Sequence, residues 1–150
     1  MIAKIEVDAP IDRVFDHFLD KRNFPRWKIG YVGLETISGR EGEEGTVTML
    51  NYKKFSMIET IEKKDRPIIY ITRYDFMQGG RKKMRHRSTN RFVAMGENRT
   101  LVEVYNEILE VNGFFTKLFV TLMSKVGEKQ FHDQLQLFKG MVEEVASGAF

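Results

Sequence analysis

His86 and Ser88 stand two residues apart in the run Arg81-Lys82-Lys83-Met84-Arg85-His86-Arg87-Ser88-Thr89-Asn90-Arg91. A histidine can act as a general base and a serine as a nucleophile, so the pair invites a hydrolytic reading. On a strand, side chains at i and i+2 are separated by roughly 6.5 Å along the rise, too far for a direct hydrogen bond. The sequence supplies no nucleophile elbow, no oxyanion-loop pattern and no third member of a triad. The pair reads instead as a polar spot within a sheet, with room for water. His17 and His132 are remote from it, and the three scattered histidines offer no metal-ligand spacing. The chain has no cysteine, which excludes disulfides, thiolate zinc sites and cysteine nucleophiles. Gly39, Gly42 and Gly45 are spaced by threes in an acidic loop, and Gly79-Gly80 fits a hairpin, so neither set makes a phosphate-binding loop. Neither a metal nor a cofactor is expected.

The same run is the most biased in charge. Alternation puts Lys83, Arg85, Arg87, Thr89 and Arg91 on one strand face and Met84, His86, Ser88, Asn90 and Phe92 on the other. A basic face could meet phosphates or an anionic membrane surface. It lacks the interleaved aromatics of RNA-binding sheets, and Glu103, Glu107 and Glu110 follow on the next strand as cross-hairpin partners. Net charge is +3, from 24 basic and 21 acidic residues, which is too balanced to imply a nucleic-acid partner. The expectation is a solvated, internally balanced face.

The elements that position these residues follow from periodicity. At 150 residues the chain suits one domain, 1–150, large enough to bury a core without staples. The opening Met1-Ile2-Ala3-Lys4-Ile5-Glu6-Val7 alternates like a strand and not like a signal peptide, and no apolar stretch reaches a membrane span of roughly 18 residues. These features point to a cytoplasmic protein without stable membrane insertion. Ile11, Val14, Phe15, Phe18 and Leu19 form one helical stripe, with Pro10 suited to a first turn, Asp8 or Ala9 able to cap it and Asp12 favouring the helix dipole. Strand-like runs separated by turn signals then occupy 30–37, 46–52, 55–63, 68–76, 83–95 and 100–110, the pattern of an antiparallel meander. From Phe114 to about Ala146 the period becomes 3.6, which predicts a long helix with a kink or a shift of buried face at Gly127.

Within this order, Ala9-Pro10-Ile11-Asp12-Arg13-Val14-Phe15 followed by Asp20, Asn23 and Pro25-Arg26-Trp27 resembles the opening of the START-like (SRPBCC) helix-grip superfamily, which includes polyketide cyclase-like and lipid-transfer proteins. The specific pattern spans about the first 30 residues and the element order extends the likeness over the whole chain. The resemblance implies an α+β helix-grip fold: a curved antiparallel sheet of six to seven strands wrapped around a long C-terminal helix, with two short helices after the first strand. A hydrophobic pocket is implied between sheet and helix. Its roof would carry Phe114, Phe115, Leu118, Phe119, Leu122 and Met123, and its floor Phe55, Met57 and Ile61, then Met84, His86 and Ser88, then Val102, Val104, Asn106 and Ile108. These faces read as apolar apart from His86, Ser88, Asn90 and Asn106. The family places an aromatic near the pocket rim, which makes Trp27 an expected lining residue with a partly buried indole.

A mostly apolar pocket with a few polar groups suits binding of a hydrophobic small molecule such as a lipid or polyketide-like compound. Two other classes stay open: a cyclase or dehydratase in which His86 moves a proton, and an interaction module using the basic outer face. Side-chain identity alone does not name the ligand.

Overall fold

The computed structural model describes residues 2–146, with the side chains of 114–126 and 145–146 outside the described set. Seven strands, all paired antiparallel, form one curved sheet: β1 (Ile2–Val7), β2 (Tyr31–Ser38), β3 (Val47–Tyr52), β4 (Ser56–Asp65), β5 (Ile69–Gln78), β6 (Arg81–Gly96) and β7 (Arg99–Val111). Their spatial order is β1-β7-β6-β5-β4-β3-β2, so β2 to β7 run as a meander and β1 closes against the last strand, with Ile5 opposite Val102. Between β1 and β2 lie α1 (Ile11–Leu19), a single 3-10 turn (Lys21–Asn23) and α2 (Phe24–Trp27). The chain closes with α3 (Phe114–Ala146), continuous through Gly127. Architecture and strand order agree with the sequence-based expectation, and the strands extend one or two residues beyond several of the predicted ends.

The turns have local causes. Gly79 and Gly80 link Gln78 to Arg81 with φ of 61° and 74°, positive at both central positions as a type I′ hairpin requires. The expected cap of α1 by Asp8 or Ala9 does not form. Pro10 is the N-cap, with ψ 147°, and makes no side-chain cap bond. Thr100 Oγ1 donates to the Ala9 carbonyl at 2.8 Å and the Asp8 amide donates to Glu143 Oε1 at 3.1 Å, so both residues are held outside the helix start.

The core fills one end of the sheet. Phe15 and Phe18 from α1, Trp27 from α2, Phe92 from β6 and Phe138 from α3 meet with ring centroids 5.0–5.4 Å apart, mostly edge-to-face or tilted. Ile5, Val7, Val102, Val104, Leu135 and Val142 complete this packing. Trp27 is 1 % exposed, so its indole is wholly buried where a partly buried one was expected: it faces Phe18 and Phe138 in the core and not an open rim. Towards the β5–β6 hairpin, the inner face changes character, and Met57, Tyr74, Phe76, Met84 and His86 are half-buried.

Candidate functional site

Register lays the inner face out in rows. Thr48, Glu59, Tyr74 and His86 stand opposite one another across β3 to β6, and Thr72, Ser88 and Asn106 make a second polar row across β5 to β7. Leu50, Met57, Phe76 and Met84 form the apolar row beside the first. The floor is therefore more polar than periodicity indicated. Glu59 occupies the inward position between Met57 and Ile61, and Tyr70, Thr72 and Tyr74 share the inward face of β5.

Glu59 is tolerated there because it is paired. Lys21, reaching in from the 3-10 turn, places Nζ 2.8 Å from Glu59 Oε1, with side chains only 3 % and 1 % exposed, and Tyr74 donates its hydroxyl to Glu59 Oε2 at 3.0 Å. An ionised carboxylate buried without such partners would be strongly unfavourable. The Tyr74 phenol is held well above its usual range, by burial first and by the Glu59 charge second. Its ring stacks on His86 with centroids 5.0 Å apart and planes at 22°.

His86 and Ser88 do not form a catalytic pair. Ser88 Oγ donates to Asn90 Oδ1 at 3.4 Å, and Asn90 Nδ2 donates to the Tyr70 carbonyl at 3.0 Å. Burial, with a further push from the positive charge of Lys28, lowers the His86 imidazole to about 4, so it is neutral at pH 7 and a weak base. Among the described residues its buried Nδ1 has no hydrogen-bond partner.

Lys28 ends α2 and is half-buried. Its ammonium lies 4.2 Å from the Trp27 ring centroid and 5.3 Å from that of Phe24. Burial lowers it to about 8, a shift that Glu59 resists and Lys21 reinforces.

An aromatic series runs from this cluster to the hairpin end. Phe24 meets Tyr31 at 5.7 Å, Tyr31 meets Tyr52 at 5.9 Å, Tyr52 stacks on Phe55 at 4.8 Å and 12°, and Phe55 meets Phe76 at 4.8 Å. Tyr52 and Phe55 also line an open groove of about 330 Å³ with Met49, Ser56, Met77 and the Gly79-Gly80 turn.

Of the residues singled out from sequence, Met57, Met84, His86, Ser88 and Asn106 share the inner face, and Phe55 lies just ahead of β4 in the aromatic series. Trp27 is core, touching the cluster only through Lys28. Ile108 keeps the inward parity opposite His86 but is 55 % exposed. The side chains of Phe114, Phe115, Leu118, Leu122 and Met123 lie outside the described residues. Lys21, Lys28, Glu59 and Tyr74 were missed. Alternation alone could have found Glu59 and Tyr74, whereas the two lysines sit in irregular segments without a period.

On the outer face, Arg85 Nε lies 2.6 Å from Asp75 Oδ1, and Arg87 bridges Glu62 at 2.8 Å and Glu107 at 3.0 Å. Asp75 and Glu62 are held below the usual carboxylate range by these hydrogen bonds. Glu107 was an expected partner; Asp75 and Glu62 come from β5 and β4 on the opposite side of the strand. Among the described residues no cluster of three metal-ligating side chains occurs, and no helix is long and apolar enough to cross a membrane.

The family model described as polyketide cyclase / dehydrase and lipid transport matches residues 2–143. The chain belongs to that family. No curated protein matches it in sequence. Among solved structures of this family fold, it is similar to a conserved protein from Geobacillus kaustophilus, with 15% identity, 95% of this chain and 94% of that one covered, and a TM-score of 0.76. A START superfamily protein from Mycobacterium smegmatis gives 16% identity, 97% coverage of both chains and a TM-score of 0.70. Norcoclaurine synthase from Thalictrum flavum, solved with dopamine and hydroxybenzaldehyde, gives 15% identity, 96% and 86% coverage and a TM-score of 0.69. At these identities the likeness is one of fold.

Proposed function

We propose that this polyketide cyclase-like family member binds a hydrophobic small molecule, of lipid or polyketide-like character, between the inner face of the sheet and α3. The observation that carries the reading is the division of the inner face. One end is filled by interlocked aromatics, whereas the other leaves Met57, Phe76, Met84 and His86 half-buried beside the buried Lys21–Glu59–Tyr74 cluster. Apolar burial would supply affinity at about 25 cal/mol per Å², and the polar rows would fix orientation. The depressed basicity of His86 argues against its use as a general base at neutral pH, which favours a carrier over a cyclase or dehydratase built on that residue.

The test is a titration with the neutral fluorophore N-phenyl-1-naphthylamine, followed by displacement with long-chain alcohols, flavonoids and aromatic polyketides. Saturable binding, weakened by Met57→Lys or Met84→Lys in protein that still melts cooperatively, supports the reading. Absence of binding across the panel, with no rise in melting temperature, refutes it.

A further inference from the structure

Lys28 is the unexplained charge of the inner face. Among the described residues no carboxylate lies within ion-pair distance of its ammonium, and its only contacts of a polar kind are with the Trp27 and Phe24 rings. The stretch 114–126 cannot supply a carboxylate, because its sequence contains Lys117 and Lys125 but no Asp or Glu. Glu59, whose field reaches Lys28, is already engaged by Lys21 and Tyr74. Among the described residues, the charged and titratable groups facing Lys28 are thus Glu59 on β4, Lys21 on the 3-10 turn and His86 on β6. Glu59 and Lys21 offset each other and His86 is neutral, so among the described residues the half-buried Lys28 ammonium has no counter-ion of its own. A charge drawn even partly out of water gains from a counter-ion. The ammonium rests on the Trp27 ring, and among the described residues one further group near it lacks a partner, Nδ1 of His86. The apolar row of Met57, Phe76 and Met84 starts one inward position, roughly 7 Å, from the polar row of Glu59, Tyr74 and His86.

We propose that Lys28 holds the anionic head, a carboxylate or an equivalent oxyanion, of an amphiphile whose apolar body lies along Met57, Phe76 and Met84. The ring of His86 is the neighbouring group that completes its hydrogen bonding. This rests on the ligand-cavity reading above and adds the chemical class of the ligand: an apolar acid, in preference to a neutral lipid.

The experiment compares decanoate with 1-decanol on the full chain at pH 7, by displacement of N-phenyl-1-naphthylamine and by calorimetry. Decanoate is expected to bind at least about tenfold more tightly, as a charge-assisted contact in a low-dielectric site gives. Lys28→Met abolishes that preference while keeping decanol binding, and Lys28→Arg retains it. Independently of any variant, the Lys28 ammonium followed by NMR titrates at higher pH once decanoate is bound. Equal affinity of the native protein for both ligands, a preference surviving in Lys28→Met, or an unmoved Lys28 titration overturns the head-group assignment and leaves the cavity reading standing. Failure of both ligands and of the fluorophore to bind overturns the two together.

Discussion

Replacing Lys21 by methionine tests whether the buried ion pair organises the inner face. The pair is 2.8 Å apart with both side chains almost fully buried, so at an effective dielectric near 20 the attraction is about 6 kcal/mol before desolvation is subtracted. Removing one partner of such a pair costs about 3–5 kcal/mol, because the other charge stays buried without it. Glu59 would keep the Tyr74 hydroxyl and the field of Lys28, which places Lys21→Met at the low end, about 3 kcal/mol. For a chain of this size that corresponds to a fall in Tm of about 6–12 °C. Glu59→Gln strands Lys21 and removes the charged acceptor of Tyr74, so it belongs at the upper end. The assay is a double-mutant cycle by denaturant and thermal unfolding at pH 7, with the Lys21→Met/Glu59→Gln double expected to be clearly less destabilised than the sum. A Tm loss below about 3 °C for Lys21→Met, or strict additivity, would refute the view that the pair is tightly coupled.

Four other outcomes are expected. His86 is lowered to about 4 in the fold while an unfolded histidine titrates near 6.5, so stability falls as pH drops through that window. The loss reaches about 2 kcal/mol at pH 5, and His86→Gln should flatten the melting profile between pH 7 and pH 5. Lys28→Met should raise stability at pH 7 by about 1–2 kcal/mol, less the ring contacts, since below pH 8 the folded chain holds a half-buried, partly desolvated ammonium; a lower Tm would contradict this. Gly140→Ala should stabilise α3 by up to about 1 kcal/mol, because a Cβ there meets no atom within 4 Å; Gly39→Ala should destabilise, since its φ is 85° and a Cβ would lie 2.9 Å from Thr46 Cα, and unfolding curves for the two variants should move in opposite directions. The native protein should show no DNA or RNA affinity at physiological salt in filter binding; measurable affinity lost on replacing Arg85, Arg87 and Arg91 together would show that the outer face has a nucleic-acid partner.

The fold was legible because its signals are local and periodic. Alternation from Tyr31 to Val111, the glycine turns and the 3.6 repeat from Phe114 onward each specify an element, and consecutive strands with short links leave little choice but a meander. The site was legible only where it obeyed the same period. Met57, Met84, His86, Ser88 and Asn106 lie on the expected face, and Glu59 falls on it too, although the apolar neighbours Met57 and Ile61 masked it. Lys21 and Lys28 carry no such mark. They occupy a 3-10 turn and a helix end, where direction is set by tertiary packing around Trp27 and not by spacing. Trp27 went the other way: a lone indole beside the family's opening motif looks like a rim residue, yet Phe18 and Phe138 enclose it.

The closure of β1 on β7 dictates the sequence in which the molecule can assemble. Strands β2 to β7 meet their partners across short links and can zip while the chain is still emerging, whereas Ile5 must wait for Val102. Closing a loop of about 100 residues costs roughly 4 kcal/mol of chain entropy, repaid only when β1, α1 and the C-terminal half of α3 condense together over Phe92 and Phe138. A nascent chain lacking its last third is therefore a meander with one bare greasy face and an N-terminal strand with nothing to pair.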